Sequence, residues 1–253
     1  MDIHLLWIPL LPFLGFVFNG LLGRRIGTRA VSAIACGLPI ISFLISYRAW
    51  RHVVDVGSPQ HWDGFPWIWI DGLVEIPFSL HFDGLAAVMC LVITGVGSLI
   101  HLYSIGYMRG DPGYHRYFAY LNLFMTFMLL LVLGDNLLLM FIGWEGVGLC
   151  SYLLIGFWFS DVAKASAGKK AFIVNRIGDF GFVLGMGLIF VHFHGLLDYV
   201  SLSEHVSANH AVLTGSGVIT AACLLLFLGC CGGVCVVVLL FHLVALRPGT
   251  GAQ

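Results

Sequence analysis

The sequence predicts an all-α fold, a polytopic transmembrane helix bundle of about seven spans with a short outer-face β-hairpin between spans two and three. Three observations predict it. Hydrophobic residues make up 59% of the 253 and charged residues only 10%, whereas a soluble domain carries about a quarter charged. The mean hydropathy of +0.97 is more apolar surface than one soluble core of this length can hide, so the solvent is lipid. Apolar runs of the roughly 20 residues that cross about 30 Å of hydrocarbon recur between short polar connections.

These runs place helices near residues 3–22, 30–50, 85–107, 117–133, 136–159, 167–193 and 212–228. The first is read as an uncleaved membrane helix. A signal peptide has its positive charge before the apolar stretch, but here Met1-Asp2 is acidic and Arg24, Arg25 and Arg29 come afterwards. Trp7, Trp50, Trp62, Trp67, Trp69 and Trp158 fall near the proposed ends, where indole rings sit at headgroup level. Turn chemistry such as Asp111-Pro112-Gly113 marks the connections.

Charge sets the expected orientation. Nine of the twelve basic residues fall in alternate connections: Arg24, Arg25 and Arg29, then Arg109 and Arg116, then Lys164, Lys169 and Lys170, then Arg247. The intervening loops are acidic, with Asp55, Asp63, Asp71, Glu75 and Asp83 in the longer one. Basic loops stay cytoplasmic, so the N-terminus is expected outside. In the long loop, Asp71-Gly72 is a hairpin-turn signal. Beyond it Ile76, Phe78, Leu80 and Phe82 alternate with Pro77, Ser79, His81 and Asp83. That period of two predicts a β-hairpin, the alternative being an irregular aromatic loop on the membrane surface.

Several function classes are excluded. The net charge of -1 leaves no basic surface for nucleic acid. Seven cysteines without a CxxC pair point to neither a disulfide framework nor a zinc site. No Gly-rich phosphate loop follows a strand. His192 and His194 form an HxH pair, but the sequence places no third ligand beside them, so no metal is expected.

Three ionisable residues stand at mid-span: Glu145 in the fifth helix, Arg176 and Asp179 in the sixth. Each costs about 2.5–3.5 kcal/mol at a helix centre on insertion scales, and such residues commonly mark ion paths. Arg176 and Asp179 are three apart and share a helix face, which suits either a packing pair or a relay. Glu145 has no opposite charge three or four residues away. Its carboxyl is either neutral and bonded to a backbone carbonyl or part of a proton relay, and the relay is the reading preferred here. His101, toward the inner end of span three, is either an interfacial histidine or an extension of that relay. Lys164 is either a topology determinant or a side chain snorkelling to a cytoplasmic entrance.

Certain stretches together resemble a known family. They include Phe82-Asp83-Gly84-Leu85, Leu133-Gly134-Asp135-Asn136, Gly143-Trp144-Glu145-Gly146-Val147-Gly148-Leu149-Cys150-Ser151-Tyr152 and Asn175-Arg176-Ile177-Gly178-Asp179. These resemble the L-type subunit, the mitochondrial fifth chain, of NADH:quinone oxidoreductase (respiratory complex I), from the N-terminus to about Gly229. The resemblance implies that Glu145 is the family's mid-membrane glutamate, poised against a lysine on the seventh span, and that Asp179 and Arg176 belong to the same polar set. It implies a translocase subunit without a cofactor of its own. NADH, FMN, iron–sulfur clusters and quinone would sit on partners, the other membrane-arm subunits. The membrane expected is the bacterial plasma membrane, ahead of the mitochondrial inner membrane.

After Gly229 the resemblance departs. Cys230-Cys231-Gly232-Gly233-Val234-Cys235 follows, and no lysine occurs after Lys170. Residues 1–229 are therefore expected to form the membrane domain and 230–253 an aberrant tail, from a frameshift or premature end. Two alternatives to proton translocation within complex I are a subunit of an Mrp-type cation/proton antiporter and an inactive fragment.

Overall fold

The computed structural model describes residues 3–70, 74–209 and 216–245. In chain order these form α1 (Ile3–Leu21), α2 (Gly23–Val56), β1 (Gln60–Ile70), β2 (Val74–Phe82), α3 (Gly84–Tyr107), α4 (Tyr114–Leu133), α5 (Leu137–Ile155), α6 (Val162–His192), α7 (Tyr199–Ala208) and α8 (Gly217–Ala245). Helices α2 to α6 are long and apolar enough to cross a membrane, and α1 and α8 carry the shorter apolar segments Leu5–Leu21 and Gly217–Gly232. The predicted bundle with its hairpin is the observed architecture, and the chain is an integral membrane protein.

Several boundaries moved for identifiable reasons. Helix α2 begins seven residues before the predicted 30, because its first turn is helical up to a break at Gly27 (φ 81°), a conformation costly for any residue with a Cβ. It continues past residue 50 to Gly57, whose left-handed φ of 74° closes the helix through an N–H bond to the Val53 carbonyl. Arg51 and Asp55, read as loop residues, are thus helical and paired at 3.7 Å. The fifth span stops at Ile155 rather than 159. There the Gly156 and Phe157 N–H groups bond back to Tyr152 and Leu154, and Asp161 then caps α6. Helix α7 was not predicted. It is a short polar helix started by Asp198, which accepts from the Ser201 N–H at 2.8 Å, and a search for apolar runs passes over it.

The chain divides into two compact units, Met1–Cys150 and Ser151–Gln253. In the first, α1 packs on α2 and α4, and α3 packs on both α2 and α4. Leu5, Ile8, Leu80, Phe82, Ala87, Cys90, Leu129, Leu133 and Leu139 form its core. Helix α3 shows the pattern that lipid imposes. Leu85, Val88, Val92, Val96, Leu99 and Tyr103 are more than half exposed, while Ala86, Cys90, Thr94, Ser98, His101 and Ser104 are buried. A water-soluble helix puts its polar residues outside; here they face inward and the hydrocarbon faces out.

Strands β1 and β2 pair antiparallel, with His61 opposite His81 and Trp62 opposite Leu80. The predicted turn at Asp71-Gly72 lies outside the described residues. The alternation holds in part: Leu80 and Phe82 are fully buried and enter the core of the first unit, whereas Phe78 is only half-buried and Ser79 is buried beside them. Strand β2 is fastened to the turn between α4 and α5. Leu80 bridges to Gly134, the Asp135 N–H donates to the Ser79 carbonyl at 3.3 Å, and Asn136 Nδ2 donates to the Pro77 carbonyl at 3.0 Å.

In the second unit α6 packs along α8 on small residues. Gly178 abuts Gly232, Gly181 abuts the Leu225 carbonyl and Leu228, and Gly185 abuts the Ala222 carbonyl. Small residues let backbones approach where lipid supplies no hydrophobic drive for association. The contact at Gly232 and the continuous α8 both extend past Gly229.

Candidate functional site

Buried polarity in the first unit follows helical spacing. On α3 the Thr94 hydroxyl donates to the Cys90 carbonyl at 2.6 Å, Ser98 to Thr94 at 2.6 Å, and His101 Nδ1 lies 2.7 Å from the Gly97 carbonyl. Only an N–H can approach a carbonyl so closely, so Nδ1 carries a proton and donates it to that bond. Among the described residues Nε2 has no hydrogen-bond partner, and the ring is 1% exposed. Across from it on α4, Asn122 donates to the Phe118 carbonyl and Thr126 to the Asn122 carbonyl. Asn19 of α1 is fully buried, and both its amide atoms lack a partner among the described residues. Side chains bonded back to their own helix keep acceptor lone pairs able to hold water, the requirement for a hydrated path.

Sequence reasoning found His101 but passed over Thr94, Ser98, Asn122, Thr126 and Asn19. For α3 and α4 the signal was present: uncharged polar residues recurring every three or four positions within apolar runs, at a spacing that puts them on one face.

Glu145 lies on α5, half-buried and engaged with a neighbour. Its placement follows from the flanking glycines. A Cβ on Gly143 would come within 2.5 Å of the Leu131 backbone nitrogen, and one on Gly146 would collide with the Phe127 ring. The face of α5 containing both glycines is therefore pressed against α4. At 100° per residue, Glu145 projects about 130° round its helix from the midpoint of the two glycines.

In the second unit, Arg176 Nε lies 3.5 Å from Asp179 Oδ2, with the Asp179 side chain 6% exposed. The guanidinium also stacks over the Phe172 ring at 4.7 Å. The predicted i,i+3 pair is thus formed. Asn175, buried on the same helix, was not foreseen. Lys164 stands apart from that pair, in the first turn of α6. It reaches Asp161 at 3.3 Å and lies over the Trp158 ring at 4.8 Å, an interfacial arrangement of cation, acid and indole. Asp161 is held below the usual carboxylate range by the Ala163 N–H and by Lys164.

This combination defines a class: lipid-facing hydrocarbon outside, polar residues and mid-helix charges inside, as in membrane subunits that move ions. Two family models match the chain: "NADH-Ubiquinone oxidoreductase (complex I), chain 5 N-terminus" over residues 67–118 and "NADH:quinone oxidoreductase/Mrp antiporter, TM" over residues 134–245. Within that class the chain matches the N-terminal part of the L-type subunit, chain 5, of complex I. It is 40% identical over 227 residues to NADH-quinone oxidoreductase subunit L of Rickettsia typhi, covering 89% of this chain and 34% of the relative. It is 42% identical over 225 residues to NADH-ubiquinone oxidoreductase chain 5 of Metridium senile, covering 87% and 36%. With subunit L of Mycobacterium tuberculosis it shares 51% over 172 residues, covering 68% and 26%. The chain thus spans about a third of the length of the curated relatives it matches. Among solved structures, the Mrp complex from a Dietzia species superposes with a TM-score of 0.72 at 20% identity, covering 90% of this chain and 23% of that one. An archaeal membrane-bound sulfane sulfur reductase superposes at 0.70 with 21% identity, covering 89% and 43%. These two likenesses concern the fold.

Proposed function

We propose that the chain serves in the membrane arm of an NADH:quinone oxidoreductase, where electron transfer from NADH to quinone drives protons through a polar relay that includes Glu145, Asp179 and Arg176. The observation that carries this reading is the ionisable set inside apolar helices, Glu145 half-buried on α5 and the Arg176–Asp179 pair on α6. Charge at that depth is retained against a cost of several kcal/mol, and the relatives are named as subunits of that enzyme. His101 extends the relay on α3, and Lys164 stands at its cytoplasmic rim. NADH, FMN, iron–sulfur clusters and quinone belong to partner subunits. The membrane of this reading is the bacterial plasma membrane, and the alternation of basic and acidic loops supports an N-terminus outside it.

The test is a Glu145→Gln substitution at the gene's own locus, with NADH-driven proton uptake into inverted vesicles read by dye quenching. Loss of quenching in an assembled complex is expected, and undiminished quenching in an assembled complex overturns the proposal. The Mrp part of the matched family model favours one second reading, cation/proton exchange. That reading requires an imposed Na⁺ gradient to drive proton movement without NADH.

A further inference from the structure

The loop-side end of the first unit holds a cluster that the relay does not use. His61 of β1 and His81 of β2 are register partners, so their side chains leave the same face of the hairpin. Their Nδ1 atoms stand 3.2 Å apart, and the rings meet edge to face with centroids 4.2 Å apart. Asp135, from the turn between α4 and α5, points its carboxylate at both: Oδ2 lies 4.0 Å from His61 Nδ1, and Oδ1 lies 3.7 Å from His81 Nδ1. One ligand atom from each residue falls within 4.8 Å of the others.

We propose that His61, His81 and Asp135 bind a divalent transition-metal ion of the zinc class, and that the ion fastens the β-hairpin to the α4–α5 turn. The distances carry the assignment. Ligand atoms bonded to one tetrahedral ion at about 2.0–2.1 Å stand about 3.3 Å apart. The two imidazole nitrogens already meet that spacing, while a single carboxylate oxygen, within 4.8 Å of both, needs to close by up to about 1.5 Å. Imidazole and carboxylate together favour zinc-like ions over calcium or magnesium, which take oxygen. Three protein ligands leave a fourth position for water.

The surroundings orient the ligands as metal sites require. His81 presents Nδ1 to the cluster, while its Nε2 faces Asp83 Oδ2 at 4.0 Å. At that distance the contact is electrostatic rather than a hydrogen bond. Asp83 is itself held by the Ala86 N–H at 2.7 Å, as the N-cap of α3. The Ser79 hydroxyl donates to Asp135 Oδ2 at 3.4 Å, and the Asp135 backbone N–H is tied to the Ser79 carbonyl. Two of the three ligands are therefore anchored to strand β2 by bonds independent of the ion. His61, 40% exposed, leaves the site open to solvent, so an ion can enter from outside.

The test is a Co²⁺ titration of the tag-free full chain in lipid nanodiscs after chelator treatment, followed by the visible d–d bands of cobalt and by Zn²⁺ displacement. One Co²⁺ per chain is expected, displaced by one Zn²⁺. His61→Ala, His81→Ala and Asp135→Ala should each weaken binding by about 100-fold, while His115→Ala leaves it unchanged. His61→Gln, at the most exposed ligand, guards against misfolding: its helical circular dichroism should match the parent while its cobalt bands fade. Absence of cobalt bands in the parent chain overturns the proposal. So does binding that survives the combined His61→Ala and His81→Ala change.

Discussion

Arg176 and Asp179 pair at 3.5 Å along one face of α6, and the two side chains differ in burial: the carboxylate is 6% exposed and the arginine 34%. The acid is thus the more enclosed member, and the guanidinium, shared with the Phe172 ring, compensates it. Removing one partner of such a pair leaves an isolated charge in an apolar helix. For a fully buried pair this costs about 3–5 kcal/mol, and the exposed part of the arginine, at mid-span, meets hydrocarbon rather than water and brings no screening. Asp179→Leu is therefore expected to destabilise the chain by that amount in reversible unfolding. Arg176→Leu combined with Asp179→Leu should recover most of the loss, since no charge is left to bury. A double variant less stable than either single would contradict this account.

The approach of α5 to α4 makes a graded prediction. Overpacking typically costs about 1–3 kcal/mol. At Gly143 the obstruction is the Leu131 backbone, which cannot move without parting the helices, so Gly143→Ala falls at the upper end. At Gly146 it is Phe127, met first at Cγ, an atom that turning the ring leaves in place, so Gly146→Ala falls at the upper end too. Gly187→Ala on α6, with nothing within 4 Å, should instead be neutral or stabilise by up to about 1 kcal/mol. Thermal unfolding of the three single variants measures the order.

What was legible in the sequence has a common cause. Spans, hairpin alternation and the Arg176–Asp179 pair are local patterns, set by periods of 3.6 and 2 and by an i,i+3 spacing, so they survive without tertiary information. The meeting of His61, His81 and Asp135 was not legible, because three separate stretches supply it and only the hairpin register brings the histidines together. The HxH pair His192 and His194, which invited a metal reading on spacing alone, is not among the metal-ligand clusters of the described residues. The bond from the Ser42 hydroxyl on α2 to the Ile8 carbonyl on α1, at 2.7 Å, is likewise a product of packing. Asn19 and Asn122 were passed over because neutral amides cost less in lipid than charges and so stand out less in a hydropathy trace.

Asp161 gives the pH dependence. Its carboxyl is held below the ordinary 3.8 chiefly by the Ala163 N–H and by Lys164. A lowered carboxylate stabilises the folded state above its unfolded pKa, and the contribution disappears as pH falls through the folded one. The start of α6 is therefore expected to hold from neutral pH down to about pH 4 and to fray below it. Amide exchange at Ala163, corrected for intrinsic pH dependence, should lose protection across that acidic window. In Asp161→Ala the protection should already be missing at neutral pH, with no acidic transition.

Asn136 joins two tasks that substitution can separate. Its Oδ1 accepts from the Leu139 N–H at 2.8 Å, capping α5, while its Nδ2 donates to the Pro77 carbonyl on β2 at 3.0 Å. Asn136→Asp keeps an acceptor for the cap but places a second acceptor against the Pro77 carbonyl, whereas Asn136→Ala removes both bonds. Loss of an N-cap costs about 1 kcal/mol, and a buried carbonyl left without its donor costs about 1–3 kcal/mol more. Both variants should speed amide exchange in β2, and only Asn136→Ala should also speed it at Leu139. If Asn136→Asp leaves β2 as protected as in the parent chain, the bond to Pro77 is not what holds the hairpin to the turn.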